Sequence, residues 1–131
     1  LIHTAAHFES LFTHFIKDFG LSPQQYNVLR ILRGQSPNAI LGGELQKRML
    51  HNMSNATRLV DKLVEKGLVD RSKNSNDKRQ ILVSINKQGL KLLAKLDNEV
   101  VNFDEKIMNL PEAQLMVLNL LLDDLRASSK E

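Results

Sequence analysis

The stretch from Asn52 to Gly89, NMSNATRLVDKLVEKGLVDRSKNSNDKRQILVSINKQG, carries the pattern that decides the fold. At about 100° per residue, Ala56, Leu59, Val60 and Leu63 gather on one side of a helix. Ser54, Arg58, Asp61 and Glu65 lie opposite, with Asn55 and Lys62 on one flank and Thr57 on the other. Asn52 is suited to cap this helix, and Gly67 to end it in a left-handed turn. Leu68 to Arg71 and Gln80 to Ile85 are β-compatible, the second alternating Ile81, Val83 and Ile85 against Leu82 and Ser84. Between them, Ser72 to Arg79 contains no apolar side chain, as expected of an exposed hairpin tip. Helix, glycine stop and basic hairpin in this order predict a winged unit.

The flanking sequence completes it. Ile2, Ala5, Phe8, Phe12, Phe15, Ile16 and Phe19 recur at helical spacings up to Gly20. Ser22-Pro23-Gln24-Gln25 is a helix start: a Ser cap, Pro at the first position and Gln three residues after the cap. That second helix is expected to reach about Arg33, turning Tyr26, Leu29 and Leu32 inward. After a loop at Gly34–Asn38, Ala39-Ile40-Leu41 is short enough to be one edge strand. A third helix over about Gly43 to Leu50 buries Leu45 and Met49, and His51-Asn52 makes the turn into the fourth, the spacing of a helix-turn-helix. Asn86 is placed to cap a long fifth helix from Lys87 to about Met108, and Pro111 opens a sixth with Leu115, Leu118, Leu122 and Leu125 on one stripe. The expected class is mainly α (α+β), a winged helix-turn-helix with long terminal dimerisation helices. Residues 21–86 are assigned to the winged DNA-binding domain, and residues 1–20 with 87–131 to a helical dimerisation region.

Composition limits what such a chain can do. At 131 residues there is room for one core or two tightly joined subdomains. No apolar run is long enough to cross a bilayer, and Leu1 in place of Met suggests a chain trimmed at its start. With no cysteine, disulfides and thiolate metal sites are excluded within it, which fits a cytoplasmic location. The net charge of +3 is unevenly spread: residues 44–80 hold nine basic and five acidic groups, residues 81–131 six and eight. A basic centre points to a polyanion-binding face.

A helix fits the major groove of B-DNA, and its N-terminal residues reach the base edges. Ser54, Asn55, Thr57 and Arg58 are suited to this, since Arg pairs with guanine, Asn with adenine, and hydroxyls reach bases or phosphates. Lys62 adds a cation on the flank. Lys73, Lys78 and Arg79 on the tip are positioned for a phosphate row or a narrow minor groove. Polar residues on one helix face often meet only water; the adjoining basic wing is what favours DNA.

The residues Gly20-Leu21-Ser22-Pro23-Gln24-Gln25-Tyr26-Asn27-Val28-Leu29, Arg58 through Val69, Asp77-Lys78-Arg79 and Ile85 through Gly89 resemble the MarR family of transcriptional regulators over nearly the whole chain. In that family's wing signature, Asp77, Arg79 and Gly89 match, while Ile85-Asn86 replaces a Leu-Thr pair. The resemblance implies that Arg79 contacts the minor groove and Asp77 orients it by an ion pair. It also implies a homodimer on a pseudo-palindromic operator in double-stranded DNA, and a small aromatic or phenolic effector in a crevice lined by Phe12, His14, Phe15, Tyr26 and Arg30. Two departures stand out: Leu41-Gly42 replaces a Thr-type cap before helix three, and Asn52-Met53 replaces the usual Asp-Lys opening of helix four.

His3, His7 and His14 share one region of helix one, which raises a metal-responsive regulator as an alternative; without cysteine, and with only Glu9 and Asp18 as carboxylates nearby, no metal site and no cofactor are expected. No catalytic triad, phosphate-binding Gly loop or paired-carboxylate motif is present, so an enzyme is not expected. The function that follows is a dimeric, sequence-specific DNA-binding repressor released by a small effector. The competing reading is a winged-helix protein-interaction module that does not bind DNA.

Overall fold

The computed structural model describes residues 1–50 and 55–129. Six helices and three short strands follow one another as α1 (Ile2–Lys17), α2 (Pro23–Gln35), β1 (Ile40–Leu41), α3 (Gly42–Arg48), α4 (Ala56–Glu65), β2 (Val69–Lys73), β3 (Ile81–Ile85), α5 (Lys87–Ile107) and α6 (Glu112–Ser128). The chain forms two compact units, Leu1–Asp97 and Asn98–Glu131.

Local chemistry sets the element ends. At the start of α2, the Ser22 hydroxyl accepts from the Gln25 backbone N–H at 3.1 Å, and the Gln25 side-chain oxygen accepts from the Ser22 N–H at 3.1 Å. This reciprocal capping box satisfies two otherwise unpaired helix donors. Ser22→Ala is therefore expected to cost about 1 kcal/mol, read as a lower urea midpoint with an unchanged slope. Gly20 and Gly67 are the positive-φ residues among those described, at 74° and 71°. After each, the chain closes a Schellman turn: Leu21 N–H reaches the Ile16 carbonyl at 3.4 Å, and Leu68 N–H reaches that of Leu63 at 3.0 Å. Both glycine stops read from the sequence are thus present.

In the first unit, α2 is the central helix, meeting α1, α3, α4 and β3. Its Val28, Leu29 and Leu32 are buried with Ile16, Leu45, Leu63, Val83, Leu93 and Leu96. The sheet is antiparallel in the order β1-β3-β2. Ile40 pairs with Val83 and Val69 with Ile85, so the expected edge strand is present over Ile40–Leu41, with Ala39 outside it.

Asn86 performs the expected capping of α5 and more. Its Oδ1 accepts from the Gly89 N–H at 3.1 Å, its Nδ2 donates to the Gly67 carbonyl at 3.0 Å, and its backbone N–H donates to the Leu68 carbonyl at 3.2 Å. One residue thereby ties the end of α4, the hairpin base and the start of α5. Farther along α5, Arg33 of α2 donates to both carboxylate oxygens of Asp97 at 3.0 Å.

The second unit contains the end of α5 and all of α6. None of the α6 residues is buried, and Met116, Val117, Leu118, Leu120, Leu121 and Leu125 are exposed. Desolvation raises the Asp104 carboxyl above the ordinary carboxylate pKa. No helix among the described residues is long and apolar enough to cross a membrane.

Candidate nucleic-acid interface

Helix α4 buries Ala56, Val60 and Leu63 at i, i+4 and i+7, the spacing that keeps one stripe against a core. Leu59, read as a core anchor, is only half-buried. Thr57, Arg58, Lys62 and Glu65 are exposed, so the outward face is polar as the wheel predicts. The helix starts at Ala56 with Asn55 at its N-cap, and the Asn55 side chain makes no capping bond. Asn55 thus sits at the entrance of α4 rather than within its first turn. Ser54, the proposed cap Asn52, Met53 and His51 lie outside the described residues. The turn just before them is anchored by α2: the Asn27 Oδ1 accepts the Leu50 N–H at 3.2 Å.

Helix α3 starts from Leu41 without any side-chain cap, as the absence of a Thr-type residue there foretold. Its Lys47 pairs with Glu44 at 3.3 Å.

The hairpin tip is more ordered than its composition suggests. Asn74 N–H donates to the Gln80 carbonyl at 2.9 Å, and the two side chains are bonded at 3.0 Å. Asp77 then holds Arg79 twice, its Oδ1 accepting from the backbone N–H at 3.1 Å and from Nε at 3.2 Å. The Arg79 side chain nevertheless remains 92% exposed. Asp77 fixes the root of the guanidinium and leaves its outer N–H groups available, the arrangement needed for an arginine that enters a groove.

Two hollows flank α4. One, of about 450 Å³, is lined on α4 by Thr57, on α3 by Lys47, and on the wing by Arg71 and Arg79. The other, of about 280 Å³, is lined by Gln24 of α2 and by Asn55, Arg58, Leu59 and Lys62. The structure therefore brings Thr57 together with Arg79, and Asn55 with Arg58 and Lys62. Lys73 and Lys78 line neither hollow; both are exposed, at the end of β2 and in the tip.

Arg71 was absent from the residues singled out by sequence. It faces the first hollow and pairs with Asp61 of α4. Period-two alternation was the available signal: Arg71 shares the strand face of Val69, which is buried. Gln24 lines the second hollow, although in the sequence it is marked only as part of a helix start.

The aromatic set on α1 and α2 packs together. The Phe12 and Tyr26 rings are 5.6 Å apart, Phe12 and Phe15 6.0 Å, and the Arg30 guanidinium lies 5.8 Å from the Tyr26 centroid, within cation–π range. His14 is exposed. Among the described residues no three His, Cys, Asp or Glu side chains converge as metal ligands.

Residues 21–81, which contain α2 through the hairpin tip, match the MarR family model. The multiple antibiotic resistance protein MarR of Escherichia coli (strain K12) is 32% identical over 81 residues, which are 62% of this chain and 55% of that protein. The match thus spans about half the length of that curated relative. A mutant MarR from E. coli complexed with operator DNA has a TM-score of 0.81 at 27% identity, covering 95% of this chain and 89% of the other. A MarR-like transcription regulator from Bacillus cereus ATCC 10987 shares the fold, with a TM-score of 0.85 at 22% identity over 97% of this chain and 91% of the other. Sequence and fold agree with the helix-and-wing geometry: over residues 21–81 the chain is similar to the MarR family, and solved MarR transcription regulators share its fold.

Proposed function

We propose that this regulator binds double-stranded DNA sequence-specifically, with α4 in the major groove and the wing on the neighbouring minor groove. The observation that carries the reading is the placement of Arg79, tethered by Asp77 yet exposed, beside a helix whose outward face presents Thr57, Arg58 and Lys62. The E. coli MarR chain seen on operator DNA supports it. Asn55, Thr57 and Arg58 are proposed to address bases together with Ser54; Lys62, Lys73 and Lys78 to address phosphates; and Asp77 to orient Arg79.

Titration of a duplex, selected from a random pool on the wild-type chain, at several salt concentrations tests this. Log affinity should fall linearly with log salt, because bound cations release counterions from DNA. Affinity that ignores salt and survives Arg58→Ala combined with Arg79→Ala would sink the reading in favour of a winged protein-interaction module.

Residues 21–86 are proposed to read DNA, and residues 1–20 and 87–131 to join two copies. Exposed Met116, Leu120 and Leu121 on α6 support this, at 62%, 63% and 56% exposure. An isolated domain gains nothing by leaving such a surface to water, whereas a second copy would bury it. The homodimer would read a pseudo-palindrome with half-sites about 10 base pairs apart. Sedimentation should give a dimer, and a monomer at working concentrations would refute this part. Repression in the cytoplasm, relieved by a small aromatic or phenolic effector near Phe12, His14, Phe15, Tyr26 and Arg30, completes the proposal.

A further inference from the structure

We propose that Asp61 and Arg71 form a positioning pair that sets the wing against the recognition helix. The inference rests on the DNA-binding reading above. It starts from a conflict in that reading: Asp61 lies on α4 one turn beyond Thr57 and three residues beyond Arg58, where a bare carboxylate would repel the phosphate backbone. Its side chain is only 46% exposed and is taken up by Arg71 of β2, itself 38% exposed. The two residues are ten apart in the chain and belong to different elements.

The wing needs such a brace. Val69 anchors the base of β2, but Asp70, Arg71, Ser72 and Lys73 are all exposed. Beyond the base, β2 is held by its ladder to β3, in which Arg71 stands opposite Val83. That ladder fixes one strand to the other; it does not fix the hairpin to α4. Among the described residues the Asp61–Arg71 pair is the ion pair that joins α4 to the wing. Its Arg71 lines one hollow together with Thr57 of α4 and Arg79 of the wing. The angle between α4 and the hairpin decides whether Arg79 meets a minor groove while Arg58 is in the adjacent major groove. The pair neutralises its own charge, so its role is geometric.

Spin-label distance measurements test this without DNA. The chain has no native cysteine, so Glu65→Cys and Ser75→Cys place labels only on α4 and the tip; dilution into unlabelled chain removes signals between copies. A narrow distance distribution is expected, broadening to a similar degree in Asp61→Asn, Arg71→Gln and the double variant, and staying narrow in Arg79→Ala. On the selected duplex, Asp61→Asn should bind about two- to fivefold more weakly, the range for a half-exposed ion pair, with protection lost over the minor groove first. Charge alone predicts the opposite sign, because removing a carboxylate beside a polyanion tightens binding. Unchanged distances, losses that add in the double variant, or a salt slope reduced by about 1 in Arg71→Gln with distances intact would overturn the proposal; the last would make Arg71 a phosphate ligand. Failure of the wild-type chain to bind any duplex would instead strike the DNA reading, while the distances still judge the brace.

Discussion

Gly89→Ala is expected to destabilise the chain by about 3 kcal/mol, the upper part of the range for overpacking a tight contact. Helix propensity predicts the reverse, since Ala is favoured over Gly inside a helix by about 1 kcal/mol. The outcome turns on what a β-carbon would meet. At Gly89 it would lie 2.4 Å from the Leu68 carbonyl oxygen and 2.6 Å from Ile85 Cγ1. Both distances are well inside van der Waals contact, and the first obstacle is backbone. That carbonyl is already the acceptor for the Asn86 N–H, so it cannot swing away without releasing the bond that seats α5 on the hairpin base. Urea denaturation reads the effect as a lower midpoint with an unchanged slope. A midpoint raised by the substitution would show that α5 is not packed against Leu68 as described. No comparable penalty is expected at Gly34, which lies in α2 with open space around its α-carbon. Gly34→Ala is a matched control that should follow propensity.

Arg58→Ala should weaken binding to the selected duplex by about 1–3 kcal/mol, roughly 5- to 150-fold, if the guanidinium reads a guanine bidentately. Arg58 is exposed on α4 and lines the hollow shared with Gln24 and Asn55, so its truncation should leave stability nearly unchanged. Loss of affinity then reports the interface alone. The loss should shrink when the contacted guanine is replaced, because the wild-type chain forfeits the same contact. Arg79→Ala should behave differently, weakening all duplexes to a similar extent and lowering the salt slope by about 1. An Arg58→Ala variant with undiminished affinity and unchanged base preference would remove this residue from the recognition surface.

Much of this molecule was readable from residue order. Ser22-Pro23-Gln24-Gln25 announces a helix start by local hydrogen bonding alone, and the capping box is present as written. Gly20 and Gly67 stop their helices because the left-handed turn they enter is strained for any residue with a β-carbon. The outward Thr57, Arg58 and Lys62 were legible because a helix repeats every 3.6 residues and the buried stripe fixes where the remainder points. The pairing of Asp77 with Arg79 was implied by the resemblance to the MarR wing signature, and the two side chains are bonded in the tip.

Less visible were relations between residues distant in the chain. In the sequence Asp61 is one more polar residue on the outward face of α4; only the fold brings Arg71 of β2 to it, and the two hollows beside α4 exist only because α2, α3 and the wing converge there. The start of α4 at Ala56 also departs from an expectation built on capping preference, with Asn55 at the N-cap making no side-chain bond.

Sequence by itself determined the element types, the helix stops, the polar face of α4 and the basic wing, since each follows from forces acting within a few residues. Tertiary structure alone decided that Gly89 must have no side chain, that Asp61 is neutralised by Arg71, and that Thr57 shares a hollow with Arg79 while Arg58 faces another. Those facts depend on how close separate segments approach, a distance set by packing of the buried side chains between them and by no local pattern.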